Sequence, residues 1–357
     1  MLNHRDPRHP QAGGSEVVLW EVFRRLSGLG VEVTWLAERF PRSREDETFG
    51  SIFIRRRGDP LSLHFFSLVE ARRHEFVLDS VAHAVPFFSY LVNPRSVALV
   101  HHVHQDVLDL ELGRGKAFVL KKLERTLSRY PLLIAVSHTT KRELVERFCV
   151  PGERIRVIHN GLDHNFYRPH FERKNKTPTI LWLGRLKRYK NPLDAPRIFS
   201  LLPSTLRSNA KLVVAGRGDL ERETREAVKE VGGVFLGGVS EEEKLRLYQS
   251  AWVVLSTSFI EGWGMTVVEA NACGTPVVGY ATGSLPEIIR DGVNGFTVPY
   301  KDLRAAAKRV EQILTMDSWR CSLRGTRSGG DKNWAYPDRS RWGAKLTHPP
   351  GHHRRQP

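Results

Sequence analysis

The stretch that decides the fold is residues 252–270, WVVLSTSFIEGWGMTVVEA. Its apolar beginning predicts a strand over residues 252–256, and a helix is expected to begin near Met265. The glycines between them let the backbone approach a ligand, and a helix amino terminus favours phosphate. The carboxylates of Glu261 and Glu269 suit sugar hydroxyls. Either glutamate alone is more typical of an ordinary helix start, but the whole segment favours a binding site.

Short β-branched runs alternate with longer amphipathic stretches on both sides of this segment, which predicts βαβ units and parallel sheets. Polar residues over 166–178 indicate a linker. We therefore expect an α/β protein with two doubly wound, Rossmann-like domains facing each other across a cleft, over residues 1–165 and 179–316. The predicted strands are 31–36, 51–55, 97–101, 132–137, 155–158, 179–183, 211–215, 233–236, 252–256 and 276–280. The predicted helices are 16–29, 116–129, 139–148, 220–230 and one that begins at a capping box at Ser240.

The composition favours a basic protein of a reducing compartment. The formal net charge of +16 and pI near 10.0 favour polyanionic partners, such as phosphorylated substrates, an anionic membrane surface or nucleic acid. The three cysteines lie far apart, and no apolar signal-peptide core follows the polar amino terminus. The longest apolar stretch, 77–92, is too short and too interrupted to span a bilayer. A cytoplasmic protein is expected, with peripheral contact to the membrane as an open alternative.

A second motif, residues 183–191 with the sequence LGRLKRYKN, follows the first predicted strand of the second domain. Arg185 can bind a diphosphate through two hydrogen bonds, and Lys190 adds a point charge. Any isolated basic triplet is more typical of a solvated loop. No D-x-D motif stands at a strand end, so we predict that these cations replace a metal ion.

Two weaker motifs belong to the first domain. Residues 11–16, QAGGSE, place two glycines before a helix, yet match neither G-x-G-x-x-G nor a P-loop. Residues 100–104, VHHVH, place histidines at a strand end. A zinc site at His102 and His104 has no acidic or cysteine partner at a persuasive spacing, so no metal is predicted.

Together these motifs resemble glycosyltransferase family 4, the retaining group 1 enzymes with the GT-B architecture, over roughly residues 3–314. The E-x7-E pattern, the G-R-x-x-x-x-K loop, the double glycine and the histidine stand in the family's order. The resemblance implies catalytic roles for His101, with His102 as competitor, and for Glu261. It further implies donor diphosphate contacts from Gly14, Arg185, Lys190, Gly264, Met265 and Thr266. It implies sugar or ribose contacts from Glu261, Gly262, Trp263 and Glu269, and a nucleotide-base loop at Gly216 and Arg217.

The two ends depart from the family pattern. Members open with a full apolar strand, whereas only Met1 and Leu2 precede the polar residues here, so a truncated first strand is expected. Members also continue with a helix that crosses back to the first domain. Residues 317–357 show no apolar periodicity and are predicted to be a basic, disordered or frameshifted tail.

The resemblance implies transfer of a hexosyl group from a UDP- or GDP-sugar to a hydroxyl of a glycan or lipid-linked acceptor, with retained configuration. It needs no cofactor beyond the nucleotide sugar. Three alternatives stay open: an inactive or truncated homologue, a nucleotide-sugar epimerase of the same architecture, and a basic nucleic-acid-binding protein. The last has no helix-turn-helix, RNP or zinc-finger pattern to support it, so no nucleic acid partner is predicted.

Overall fold

The computed structural model describes residues 1–315, and the predicted tail at 317–357 lies outside the described residues. The strands of the first half are β1 (Thr34–Ala37), β2 (Asp46–Phe49), β3 (Ile52–Arg56), β4 (Val77–Val81), β5 (Ser96–Val100), β6 (Leu132–Ala135) and β7 (Ile155–Val157). Its helices are α1 (Gly14–Gly28), α2 (Leu63–Ala71), α3 (Gln105–Glu111), α4 (Arg114–Glu124) and α5 (His138–Phe148). All the strand pairs are parallel except β2 with β3.

The amino-terminal residues hold the centre of the first sheet. Strands run in the order β2-β3-β1 and β4-β5-β6-β7, and Leu2 bridges the two groups by pairing in parallel with Leu36 and Asp79. The Leu2 amide donates to the Leu78 carbonyl at 2.8 Å, and the Leu36 amide donates to the Met1 carbonyl at 2.9 Å. Residues 1–3 therefore occupy the position at which a first strand is expected.

The second half contains one parallel sheet in the order β10-β9-β8-β11-β12-β13. Its strands are β8 (Thr179–Leu183), β9 (Lys211–Ala215), β10 (Val234–Gly237), β11 (Val253–Ser256), β12 (Val277–Tyr280) and β13 (Gly295–Val298). Its helices are α6 (Asp194–Ser200), α7 (Ser204–Arg207), α8 (Glu221–Glu230), α9 (Glu241–Ser250), α10 (Met265–Ala272), α11 (Leu285–Ile288) and α12 (Leu303–Thr315). The predicted capping box at Ser240 is present, with the Ser240 hydroxyl accepting from the Glu243 amide at 3.2 Å.

Both faces of the second sheet are covered. Trp182 and Leu255 face one buried cluster that includes side chains of α6, α8 and α12. Leu181 and Val254 face the opposite cluster, with side chains of α9, α10 and α11. Successive residues of one strand thus point to opposite apolar cores, which is the pattern of a doubly wound sheet.

The two halves contact each other along one side of the cleft. Val136 of the first half packs with Trp263 and Val268 of the second in a small apolar cluster. The Trp263 ring stacks on His159, with ring centroids 4.2 Å apart. These contacts set the spacing between the loops that carry the predicted site.

Several expectations about local structure change. The helix expected over 116–129 is α4 followed by a 3-10 turn at Arg125–Arg129, and β2, β4 and α2 were not predicted. Each of the three arginines at residues 55–57 forms at least one ion pair. Arg56 is buried against Asp6 and Glu47, Arg55 pairs with Glu70, and Arg57 pairs with Asp46.

Among residues 1–315, no helix is both long and apolar enough to cross a bilayer. The domain boundaries at 165/166 and 178/179 stay predictions.

Candidate active site

The loop between β11 and α10 lies at the carboxyl edge of the second sheet, where ligands of doubly wound sheets bind. Helix α10 begins at Met265, as predicted, after Gly264 in the left-handed region at φ 73°. A Cβ on Gly264 would lie 2.9 Å from both Ile288 and Leu285, so only glycine fits there. The turn leaves the main-chain amides at the start of α10 next to the cleft.

Gly262 joins this loop to the first half. A Cβ at this position would lie 1.6 Å from the His101 carbonyl oxygen and 3.2 Å from the His102 Cβ. No side chain can occupy that space without moving one half relative to the other. The absence of a side chain at Gly262 therefore permits the observed approach of the two halves.

Glu261 is held by a lysine that lies 71 positions earlier in the sequence. The Lys190 ammonium lies 2.5 Å from Glu261 Oε1, and the Ser258 hydroxyl donates to the same oxygen at 2.7 Å. Burial alone would lower the pKa of Lys190, but the Glu261 carboxylate outweighs it, and the pKa lies above the ordinary value. Lys190 therefore stays a cation at the carboxyl edge of β8 and β11.

The loop that carries Lys190 is fastened to the Glu261 loop by hydrogen bonds. The Thr257 hydroxyl donates to the Lys190 carbonyl at 2.9 Å, and the Asn191 side-chain amide donates to the Thr257 carbonyl at 2.9 Å. Asn191 adopts a left-handed conformation at φ 47° to make this turn. The two motifs found separately in the sequence thus form one rigid unit.

Arg185 lies across the cleft from the double glycine. A Cβ on Gly13 would lie 3.2 Å from the Arg185 Nη2, and one on Gly14 would lie 4.0 Å from the Met265 Cγ. Arg185 is exposed and forms no ion pair with any residue from 1 to 315. The start of α1, the start of α10 and an available guanidinium therefore converge, a combination that attracts anions.

Glu269 lies on α10 and is almost buried, with 7% of its surface exposed. Tyr248 donates to one carboxylate oxygen at 2.9 Å, and the Lys244 ammonium lies 3.1 Å from the other. Burial raises the pKa of Glu269, and Lys244 and Tyr248 counteract that effect in part. Each oxygen keeps a lone pair, so the group can still accept from hydroxyls.

The histidines after β5 differ in surroundings. His101 is buried with its Nε2 3.2 Å from the Ser80 hydroxyl, and burial lowers its pKa to about 4. His102 also has its pKa lowered by burial, and the positive charges of Lys190 and Arg185 contribute. His102 is partly exposed, and its Cβ lies 3.2 Å from the position of a Cβ on Gly262 in the second half. His104 is structural, with its Nδ1 3.0 Å from buried Glu124.

The remaining predicted residues lie around this centre. The Trp263 side chain is 3% exposed and packs between the halves, so its main chain rather than its ring borders the cleft. Thr266 follows Met265 in the first turn of α10. Gly216 lies so close to the motif at residues 183–191 that a Cβ would be 1.9 Å from the Gly184 carbonyl oxygen, and Arg217 is exposed beside it.

A further contact between the halves was not predicted. The Glu287 carboxylate accepts from the His138 amide at 3.0 Å and from the Thr139 amide at 2.6 Å. It thus caps the amino terminus of α5 from the opposite half. In the sequence, Glu287 ends the segment GSLPE at residues 283–287, which carries no sign of a partner in the first half.

Within residues 1–315, no group of three histidine, cysteine or acidic side chains is arranged to hold a metal ion. The expectation that no metal is required stays a prediction.

Two Rossmann-like domains with a cationic site between them define the GT-B class of glycosyltransferase folds. Two family models match the chain in succession: Glycosyltransferase Family 4 over residues 12–166 and Glycosyl transferases group 1 over residues 163–324. The chain belongs to this family of group 1 glycosyltransferases, as the sequence motifs predicted.

Relatives and solved structures agree with this assignment. An uncharacterized glycosyltransferase of Methanocaldococcus jannaschii is 34% identical over 200 residues, which cover 51% of this chain and 50% of that protein. O-antigen chain mannosyltransferase B of Escherichia coli is 26% identical over 79% of this chain and 78% of that protein. Sucrose-phosphate synthase from Thermosynechococcus elongatus shares the fold, with a TM-score of 0.75, 19% identity and coverage of 94% and 92%. The chain spans about half the length of several curated relatives that it matches.

Proposed function

We propose that this protein transfers a hexosyl group from a UDP- or GDP-sugar to a hydroxyl of a glycan or lipid-linked acceptor, with retention at the anomeric carbon. The observation that carries the proposal is the convergence of Arg185, the Lys190–Glu261 pair and the starts of α1 and α10. Cations and free amides suit a diphosphate, and the carboxylate beside them suits the hydroxyls of its sugar.

In this proposal the donor lies along the carboxyl edge of the second sheet. Arg185 and Lys190 bind the diphosphate together with the amides of Gly264 to Thr266. Glu261, with the main chain of Gly262 and Trp263, holds the hexose, and Glu269 holds the ribose. Gly216 and Arg217 border the base, while Gly14 approaches the phosphates from the first half. Residues 1–165 and 179–316 act as acceptor and donor domains.

The reaction needs one bond to break and one to form. The bond from the anomeric carbon to the phosphate oxygen breaks as the acceptor oxygen attacks from the same face. The acceptor proton passes to the leaving phosphate oxygen. Arg185 and Lys190 stabilise the negative charge that grows on this diphosphate, so no metal ion is required. His101 or His102 positions the hexose at the floor of the cleft.

Donor binding is tested by thermal denaturation with UDP-, GDP- and ADP-sugars. A donor at 100 times its Kd stabilises the folded state by about 2.7 kcal/mol, so one nucleotide class is expected to raise Tm. Lys190→Ala and Arg185→Ala should each abolish the rise in Tm with donor and the turnover. Addition of a metal chelator to the unaltered protein should change neither the rise in Tm nor the turnover. Lys187→Ala is the matched control, because Lys187 lies in the same loop but pairs with exposed Asp219.

A well-folded Lys190→Ala protein with full activity would contradict the assignment of this residue. Proton NMR of the product reports the anomeric configuration, and an inverted product would contradict retention. Release of an epimerised nucleotide sugar without any acceptor would favour the epimerase alternative.

We further propose a cytoplasmic location with peripheral contact to anionic lipid through α4. Phe118 and Val119 are 59% and 55% exposed on this helix, and exposed Lys116, Lys122 and Arg125 surround them. Apolar side chains among cations suit an anionic membrane surface. The protein should co-sediment with phosphatidylglycerol vesicles at low salt. The double variant Phe118→Ser/Lys122→Glu should weaken this binding. The control Lys229→Glu, on α8, should weaken it less. No co-sedimentation by the unaltered protein would contradict the proposal.

A further inference from the structure

A second polar cluster lies at the carboxyl edge of the first sheet, and none of the motifs above includes it. We call it the histidine–glutamate cluster: His4, Arg5, His9, Glu38, His64 and His83. Glu38 follows β1 directly, His83 follows β4, and His4 and Arg5 follow the pairing segment at residues 1–3. Because these strands are parallel, the cluster lies on the same edge as His101 and His102.

Glu38 is the centre of this cluster. Its Oε1 lies 3.5 Å from His9 Nε2 and 4.0 Å from Arg5 Nε, and its Oε2 lies 3.8 Å from His4 Nδ1. These separations are at or beyond the limit for hydrogen bonds, so the carboxylate attracts its neighbours without being saturated by them. Its side chain is 10% exposed. Both oxygens therefore keep capacity to accept hydrogen bonds from a ligand.

Arg5 supplies the compensating charge but not an anion site. Its Nη1 donates to the Gln11 carbonyl at 3.1 Å, and its Nη2 donates to the Gln11 side-chain oxygen at 3.0 Å. The outer face of the guanidinium thus fastens the loop that leads to Gly13 and Gly14. With its Nε 4.0 Å from Glu38 Oε1, Arg5 balances the one negative charge of the cluster, and the cluster contains no other arginine or lysine.

Histidines with lowered pKa complete the cluster. Burial lowers the pKa of His64 to about 4, and burial together with the Arg5 charge lowers the pKa of His9. His9 Nδ1 accepts from the Gln11 amide at 3.1 Å, which leaves its Nε2–H directed at Glu38. Neutral imidazoles offer one donor and one acceptor each, a combination that suits hydroxyl groups.

His83 connects the cluster to the donor side. Its ring centroid lies 4.8 Å from that of His4. The His83 side chain is exposed, so a ligand can reach it. Next to His4, Arg5 fastens Gln11 in the loop that leads to Gly13, and the Arg185 Nη2 lies 3.2 Å from the position of a Cβ on Gly13. A ligand in contact with Glu38 and His83 would therefore lie near a donor held at Arg185.

We infer that the histidine–glutamate cluster is the acceptor subsite and that it takes an uncharged sugar unit, whose hydroxyls donate to Glu38 and exchange hydrogen bonds with His4 and His83. This inference rests on the proposed function, since an acceptor presupposes a donor. The inference specifies the chemical class of the acceptor sugar that lies next to the donor. This sugar is a neutral polyol and not a sugar phosphate.

The experiment compares nucleotide release in three conditions with the full chain and the donor chosen by thermal denaturation. These are donor with water alone, donor with octyl glucoside, octyl mannoside or octyl galactoside, and donor with glucose 6-phosphate or mannose 6-phosphate. At least one neutral glycoside should accelerate release above slow hydrolysis, and neither phosphate should do so. Acceleration by a sugar phosphate alone, or by none of the neutral glycosides, would overturn the inference.

Glu38→Gln should raise the KM for the active glycoside on the order of 10- to 100-fold, because it removes a charged acceptor of hydrogen bonds. The Kd for the donor should stay unchanged, because Glu38 has no contact with the donor in this proposal. Glu45→Gln is the matched control, since Glu45 belongs to the same half but is 58% exposed and pairs with Arg39. An unchanged KM in folded Glu38→Gln would refute the role of Glu38. Failure of the unaltered protein to bind any donor would instead refute the proposed function.

Discussion

The proposed donor side of the cleft, around Glu261, and the proposed acceptor side, around Glu38, are built in different ways. On the donor side, Glu261 and Lys190 belong to two short motifs that are tied together by contacts of 2.5 to 2.9 Å. On the acceptor side, the neighbours of Glu38 come from separate loops and approach it at 3.5 to 4.0 Å. A tightly bonded site holds its side chains in one arrangement, and a loosely bonded one leaves Glu38 able to accept hydrogen bonds from a ligand.

The two sides depend on each other through Gly262, whose replacement should have the largest effect. In Gly262→Ala, the new methyl group would overlap the His101 carbonyl oxygen, so the two halves must separate. A misplacement of about 1 Å can cost about 100-fold in rate, and we expect kcat/KM to fall by about that factor. Steady-state kinetics, with Tm as the measure of stability, test this expectation.

The control for this substitution is Gly28→Ala at the end of α1, where a Cβ meets nothing within 4 Å. It should keep activity and Tm close to the original values. Because Gly262 lies between the halves and not in either core, its Tm should also change little. An active Gly262→Ala protein would show that the observed approach of the halves is not the catalytic one.

The same difference between the two sides explains what the sequence could predict. Strands β8 and β9 were predicted to the residue, because uninterrupted apolar runs are typical of strands buried on both faces. Strand β4 was missed because it contains Asp79, which is buried and accepts from the Phe87 amide at 3.0 Å. A charge inside a strand breaks the apolar pattern, and only tertiary contacts show how it is satisfied.

In the candidate site too, local patterns were visible in the sequence and tertiary contacts were not. The donor motifs are contiguous, so their residue types and spacing were visible in the sequence, although the Lys190–Glu261 pairing was not. The histidine–glutamate cluster joins residues as far apart as His4 and His83, and Glu287 accepts from an amide 148 positions earlier. Contacts at such separations arise from the packing of strands and halves, and no local pattern encodes them.

An intermediate effect is expected from Glu269→Gln, which tests the ribose end of the donor side. Loss of a charged hydrogen-bond acceptor should weaken nucleotide diphosphate binding about 10-fold. Burial raises the pKa of Glu269. In the unaltered protein, nucleotide binding should therefore be full above that pKa and weaken as the pH falls through it. This loss should begin at a higher pH than for a glutamate with the ordinary pKa. Titration calorimetry across pH, with the nucleotide and its 2′-deoxy and 3′-deoxy analogues, measures both effects.

The control for this prediction is Glu241→Gln, because Glu241 also pairs with Lys244 but is 52% exposed. It should bind the nucleotide normally and keep the pH dependence. The unaltered protein should bind the nucleotide more tightly than either deoxy analogue. If Glu269→Gln kept the same ratios of Kd values, the ribose hydroxyls would have a partner other than Glu269.

The smallest effect is expected from Glu287→Gln, which weakens the link between the two sides without touching either ligand. A glutamine keeps one acceptor for the amides of His138 and Thr139 but loses the charge that favours the start of α5. Such a cap is worth about 1 kcal/mol, so kcat/KM should fall about fivefold while the donor Kd stays constant.

Glu146→Gln, on the exposed face of α5, is the control and should change neither quantity. A purely structural role for Glu287 would instead lower Tm and leave turnover by the folded protein unaltered. A fall in turnover at constant donor affinity would therefore show that Glu287 acts by holding the two halves together and not by stabilising one of them.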